Sequence, residues 1–270
     1  MMKRFLFYAI LVFGAAVFLY PFLWMLGATL KPEQEIAGFD IIPRHLTLES
    51  YRFVFRKIPI IRGFINSLFV SLLVTASVIV SGSMAGYALS RLRFRGREAV
   101  FNLALATMMI PAQLTLIPLY TMIVKFGWAN SYLALIVPAM VSSYAALLFR
   151  QFFLSIPQSL IEAARLDGCS DWRILFTIVF PLSKPAIMTV AILTFMGIWN
   201  DVLWPLMVIR DQELMTMPLM VTLFAVGGQA ETRLGVQLAA AALLALPVII
   251  AYLFLQRHLI ESVASSGMKG

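Results

Sequence analysis

Apolar residues in this chain fall in long runs. Uncharged stretches cover Phe5–Leu30, Gly63–Ser90, Ala99–Val124, Phe126–Phe149 and Leu234–Gln256, and a sixth, Pro185–Ile209, holds a single charge, Asp201. Each is long enough to cross a hydrocarbon core of about 30 Å as a helix. In lipid the backbone must satisfy its own hydrogen bonds, which helices and closed barrels do. The runs lack the two-residue alternation of barrel strands. The pattern therefore predicts an all-α membrane protein: one transmembrane domain over 1–270, with spans at 5–30, 63–90, 99–124, 126–149, 185–209 and 234–256. Lys3 and Arg4 precede the first run, but it is too long for a signal peptide and continues through Pro21 without a small-residue cleavage site, so it reads as an anchor.

Composition agrees with the pattern. A chain of 270 residues that is 61% hydrophobic and 13% charged, with mean hydropathy +0.90, carries more apolar surface than one soluble core could bury. Six spans place both termini on one side. Residues 1–4, 91–98, 150–184 and 257–270 hold twelve Lys/Arg against five acids, whereas 31–62, Lys125 and 210–233 hold nine against seven. The short "RLRFRGRE" turn weighs most, and it assigns the first set to the cytoplasm. The net charge of +8 then reads as membrane orientation, with no nucleic-acid partner implied. The single Cys169 excludes an internal disulfide. The external 31–62 loop mixes six basic residues with four acids and several aromatics. It reads partly as an interfacial helix and partly as a docking surface.

The longest cytoplasmic connection is 150–184, where charged residues interrupt the apolar pattern. Ser155 with Gln158 forms a candidate capping box, Pro157 suits a first turn, and Gly168 supplies a left-handed stop, predicting a helix over 157–167. Ser170 can cap a second helix, in which Trp172, Leu175, Phe176 and Val179 share a face before Pro181 ends it. Two readings of that apolar stripe stand. It packs on its own bundle or the lipid interface, or it docks a partner, with Ala163 and Ala164 admitting close approach and Glu162 and Arg165 placing charge at the rim.

A second group of candidates lies within the spans. Asp201 sits where a charge costs about 2.5–3.5 kcal/mol on translocon scales. Either it lies near the external mouth, capped by water and helix ends, or with Trp199 and Asn200 it lines a solute path. Amide, carboxylate and aromatic face together suit the hydroxyls and C–H surfaces of a sugar. Gln113 and Tyr144 lie beside Pro111 and Pro138, and broken helices often frame transport sites. The alternative is that each bonds a neighbouring helix. Gly82 and Gly86 form a G-x-x-x-G pair that favours packing within the chain over dimerisation. His45 and His258 lie on opposite predicted sides, so no metal pair follows. The chain has no G-x-x-x-x-G-K-[ST] phosphate loop.

"EAARLDG", nine residues and then "IVFP" resemble the EAA loop of binding-protein-dependent ABC importer permeases: Glu162, Ala163, Ala164, Gly168, Ile178 and Pro181 match at the family's spacing. Phe180 stands where Leu is usual and Cys169 where a small residue is common. "YPFLWMLGATLKP", "GYALSRLRFRG", "MMIPAQLTLIPLY", "WND" and the terminal "GMKG" extend the likeness along the chain. The sequence is thus similar to the smaller, MalG-like permease subunit of carbohydrate importers. That resemblance implies the type I ABC importer permease fold with six transmembrane helices in the inner (plasma) membrane. It also implies a coupling helix within 157–180, in which Glu162, Ala163, Ala164, Arg165, Asp167, Gly168, Trp172, Ile178 and Pro181 serve a separate ATPase.

Implied partners are a MalF-like second permease subunit, two ATP-binding subunits, an extracytoplasmic solute-binding protein and membrane lipid. This chain would bind no cofactor and carry no catalytic residue, ATP and Mg belonging to the partner ATPase. Tyr144, eighteen residues before Glu162, resembles the position at which a related larger subunit presents an aromatic ring to its sugar. The expected solute is a sugar or oligosaccharide. Glycerol phosphate or another polyol derivative is the alternative, but the runs lack the Lys or Arg that phosphate would call for. From a different class comes an ATP-independent channel or carrier. An intramembrane enzyme is disfavoured because paired metal ligands and a serine–base constellation are missing from the sequence.

Overall fold

The computed structural model describes residues 2–38, 40–228, 230 and 233–267, with side chains described between Arg4 and Ile250. The His258 side chain and Met268–Gly270 of the terminal "GMKG" lie outside the described residues. Fourteen α-helical segments follow in chain order. They are α1 (Met2–Ala28), α2 (Glu49–Lys57), α3 (Ile60–Arg91), α4 (Arg97–Met108), α5 (Ala112–Lys125), α6 (Tyr132–Ile136) and α7 (Ser143–Leu154). Then come α8 (Gln158–Leu166), α9 (Asp171–Ile174), α10 (Phe180–Leu182), α11 (Lys184–Trp199), α12 (Leu203–Val208), α13 (Met217–Val226) and α14 (Leu234–Gly267). The described residues form no strand.

Among the described residues three helical stretches are long and apolar enough to cross a bilayer, Arg4–Ala28, Ile60–Arg91 and Tyr132–Leu154, and counting each of two bent pairs as one span raises the number to five. The run 99–124 is one of those pairs: α4 and α5 meet at 101°. Pro111 explains the break, because its ring restricts Ile110 and it offers no amide to the ladder. Met109 and Ile110 close α4 with short-range bonds to the carbonyls of Ala106 and Thr107. The other pair is Asp171–Leu182 with α11, at 82°, and the run 185–209 is itself divided into α11 and α12 with 200–202 between them. The run 126–149 becomes helical only from Tyr132, after Gly127 and Asn130 with positive φ. Helix α14 is 34 residues long.

The chain divides into two compact units, one of 1–63 with 217–249 and the other of 64–216 with 250–270. In the first, Glu33 accepts the first amides of α14, Leu234 N at 2.6 Å and Gly235 N at 3.1 Å, meeting donors that a helix start leaves unpaired. Arg233 lies 3.5 Å from Glu49 and over the Phe53 ring, which ties α2 in place. Helix α1 exposes apolar side chains from Phe5 to Leu23 on every side, as a helix bathed in lipid or covered by another subunit does.

In the second unit, α3 packs on α7 through Gly82 and Gly86. A Cβ at Gly82 would sit 2.9 Å from Ala145 Cβ, and one at Gly86 2.6 Å from Phe149 Cβ. The G-x-x-x-G pair is thus used inside the chain. Asn66 bonds the carbonyls of Glu213 (2.7 Å) and Met215 (2.9 Å) and accepts Tyr132 OH at 2.8 Å, anchoring 209–216 to α3.

Candidate functional site

The 155–183 loop folds as the helix, break, helix that its residues predict, except that Ser155 leaves α8 uncapped and Pro181 lies within α10 and does not end the second helix. Ser155 does not cap α8: its hydroxyl donates to Phe152 O at 2.7 Å, and Pro157 occupies the N-cap without a side-chain bond. Gln158 is instead taken up by α3, its Oε1 accepting from Arg91 at 2.5 Å. Gly168 adopts φ +78°, and Cys169 N reaches back to Ala164 O at 3.0 Å to close α8. Ser170 caps α9 by accepting from Arg173 N. A π turn over Leu175–Val179 precedes Pro181, whose missing amide breaks the regular ladder. The chain then bends by 82° into α11 at buried Ser183, whose hydroxyl bonds Val179 O at 2.6 Å.

Burial divides the candidate residues into two faces. Ile161, Ala164, Ile174, Leu175 and Val179 are buried, whereas Glu162, Ala163, Arg165, Asp167, Gly168 and Pro181 are exposed and Ile178 is half-buried. The two alanines therefore part company, one inward and one outward. The predicted stripe divides too. Trp172 and Phe176 point outward, stacked with centroids 6.1 Å apart, and Trp172 is 61% exposed. Leu166, at 89%, is barer still.

Polar bonds fasten this loop to the end of α3. Tyr87, buried, donates to Asp171 Oδ1 at 2.9 Å, and Arg165 donates to the same oxygen at 2.9 Å. That hydrogen bond pushes the Arg165 guanidinium above its ordinary range. Arg91 donates to Phe153 O and Ile156 O at the end of α7. Sequence reasoning did not single out Tyr87 or Arg91. Their signal was a four-residue spacing in "GYALSRLRFRG", which places both on one face of α3.

The span candidates are separated by the structure. Trp199 is fully buried between Phe64 and Phe195, at centroid distances of 5.8 and 5.7 Å. Its ring belongs to the core and is not among the residues lining the cleft beside Asp201. Asn200 folds back on its own helix, donating to Met196 O at 2.8 Å. Asp201 starts α12, its Oδ1 accepting from Leu203 N (3.0 Å) and Trp204 N (3.3 Å), and also lines a cleft of about 240 Å³. Ala112, Thr115, Pro138, Trp204 and Thr216 share that cleft, at the breaks in two spans. Gln113 and Tyr144 do not line it, although both are exposed. Thr216, overlooked in the sequence, presents a buried hydroxyl without a hydrogen-bond partner among the described residues. Trp204 is fixed by its indole N–H on Ala134 O at 2.8 Å. The described residues hold no cluster of metal-ligating side chains.

Residues 77–265 match the model of the family described as binding-protein-dependent transport system inner membrane component. This chain belongs to that family. The match contains the whole loop and all of the cleft lining except Val70, and the protein is a multi-pass permease component of a transport system. The family member AraQ of Halalkalibacterium halodurans, an arabinooligosaccharides transport system permease protein, is 34% identical over 264 residues, covering 96% of this chain and 94% of its own. UgpE of Escherichia coli, an sn-glycerol-3-phosphate transport system permease protein, is 32% identical, covering 96% and 95%. A crystal structure of a bacterial ABC transporter involved in importing the acidic polysaccharide alginate superposes with TM-score 0.80 at 25% identity, covering 95% of this chain and 96% of that one.

Proposed function

We propose that the permease works in an ATP-driven importer for a neutral sugar or oligosaccharide, with the 157–180 loop as its coupling element. The observation that carries this is the outward face of α8 and α9. Leu166 and Trp172 there, with Phe176 in the following turn, leave apolar surface bare while Arg165 and Asp171 are bonded to each other and to Tyr87. Such a surface calls for a protein cover. In this reading α8 seats in one of two ATP-binding subunits, with Glu162, Ala163, Asp167, Gly168 and Trp172 at the contact. Ala164, Arg165, Ile178 and Pro181 shape the loop behind them. ATP and Mg are bound in that partner. A MalF-like second permease subunit completes the pathway, an extracytoplasmic solute-binding protein delivers the solute, and lipid surrounds the assembly. The Arg-rich 91–98 turn supports an orientation with the loop and both termini in the cytoplasm.

The cleft supports a neutral solute. Asp201 lies on its wall with Thr115 and Thr216, and no Lys or Arg is among its lining residues. A phosphate would meet a carboxylate there without a compensating cation. Glycerol phosphate is the second reading, favoured by the likeness to UgpE.

The test uses the permease co-expressed with its ATP-binding and second permease subunits, in a Cys169→Ser background. A cysteine at Ala163→Cys is expected to cross-link to the ATP-binding subunit. In liposomes, binding protein loaded with arabino-oligosaccharide is expected to raise ATP turnover, and sn-glycerol 3-phosphate is not. Absence of any cross-link removes the coupling reading. Solute entry without the ATP-binding subunits would instead establish a self-contained carrier.

A further inference from the structure

Three features converge where α3 meets the loop. One carboxylate oxygen of Asp171 receives both Tyr87 OH and Arg165, so α3, α8 and α9 share a single acceptor. One turn further along α3, Arg91 spreads its guanidinium over Phe153 O, Ile156 O and Gln158 Oε1. Those acceptors lie in the last turn of α7, in the connection that follows it and at the first residue of α8. Between α3 and α9 lies an apolar cleft of about 270 Å³, walled by Met84, Ala88, Leu92, Trp172 and Leu175. Side-chain packing between the two is therefore incomplete, and the Tyr87–Asp171 bond bridges the gap from within the wall. Tyr87 reaches that carboxylate from a buried position, whereas Asp171 itself is exposed, and a hydrogen bond to a charged acceptor is the stronger kind.

We infer that Tyr87 and Arg91 are positioning residues that fasten both helices of the coupling loop to α3, so that a displacement of the loop is delivered to that span directly. This rests on the coupling reading above. Covalent links alone transmit poorly here, because the loop leaves through an 82° bend at Ser183. A side-chain clamp across α3 supplies a stiffer route. It follows that Arg165 and Asp171 act inside the permease, and that Glu162 and Asp167 are the charges offered to the partner.

The experiment is hydrogen–deuterium exchange on the assembled importer in nanodiscs, with and without ATP plus vanadate. In the native complex, segments 158–174 and 81–91 are expected to change protection together. In Tyr87→Phe with Asp171→Asn, 158–174 still responds, but the change in 81–91 falls by about fivefold or more, since bonds to a charged group are the strong ones. Arg91→Lys keeps the charge but loses the planar fork, and lowers the 81–91 response in part. Where the double variant fails to assemble, Tyr87→Phe alone and Arg91→Lys carry the comparison. An undiminished 81–91 response in the variants that assemble overturns the clamp. A native 158–174 segment indifferent to ATP overturns the coupling reading itself, a different result on a different peptide.

Discussion

Replacing Gly86 by alanine tests the contact on which the loop's foundation stands, since α3 holds α7 and α7 leads into α8. The added Cβ would lie 2.6 Å from Phe149 Cβ, 2.8 Å from Arg150 N and 3.0 Å from Ala146 O, where ordinary contact begins at 3.4 Å. Two of the three neighbours are backbone, so a rotamer change cannot relieve the clash and the helices must separate. Overpacking of this kind costs about 1–3 kcal/mol. Exchanging a helical glycine for alanine returns roughly 0.5–1 kcal/mol. The expected net loss is about 1–2 kcal/mol, a fall in Tm of roughly 2–4 °C per kcal/mol for a domain of this size. Gly197 on α11 is the control, because nothing lies within 4 Å of its added Cβ. Gly197→Ala should hold or raise Tm in the isolated chain. Thermal unfolding of the detergent-purified permease, followed by tryptophan fluorescence, reads both. If Gly86→Ala proves as stable as Gly197→Ala, the α3–α7 contact is not as close as described.

Asp201→Ala removes the acceptor for Leu203 N and Trp204 N and should cost about 0.5–2 kcal/mol in unfolding assays. Asp201→Asn keeps that cap, so unchanged stability with lost solute uptake would assign the carboxylate to the solute, and unchanged uptake would leave it a cap alone. Gly168→Ala meets no neighbouring atom, yet at φ +78° it should strain the loop by about 1–2 kcal/mol. Its expected readout is weaker co-purification with the ATP-binding subunit, with Gly168→Asn milder. Trp204→Phe orphans Ala134 O in the core and should lower stability by about 1–3 kcal/mol while leaving the helical circular dichroism spectrum intact.

Much of the loop was legible because its causes are local. Gly168 takes the left-handed conformation and Ser170 caps the next helix, each acting within four residues of itself. Gln158 was misread for the opposite reason. A capping box with Ser155 was locally reasonable, but Arg91, 67 residues away in sequence, offers Gln158 a charged donor that the Ser155 hydroxyl cannot match. The single face drawn through Trp172, Leu175, Phe176 and Val179 divided, with Leu175 and Val179 inward and Trp172 and Phe176 outward, because the π turn over 175–179 alters the helical period on which the stripe was drawn.

The sequence by itself determined a helical membrane protein with a polar helix, break, helix insert. Run length, hydropathy and turn chemistry act over a few residues, and the solvent, lipid or water, enforces them everywhere alike. Only the tertiary structure decided which members of "WND" face where. It sank Trp199 between two phenylalanines, one of them 135 residues earlier in the chain, and left Asp201 on a cleft. It also bent the 99–124 run and joined Tyr87 to Asp171. Burial and partnership at those positions depend on surfaces brought together from distant parts of the chain, and local pattern carries no record of them.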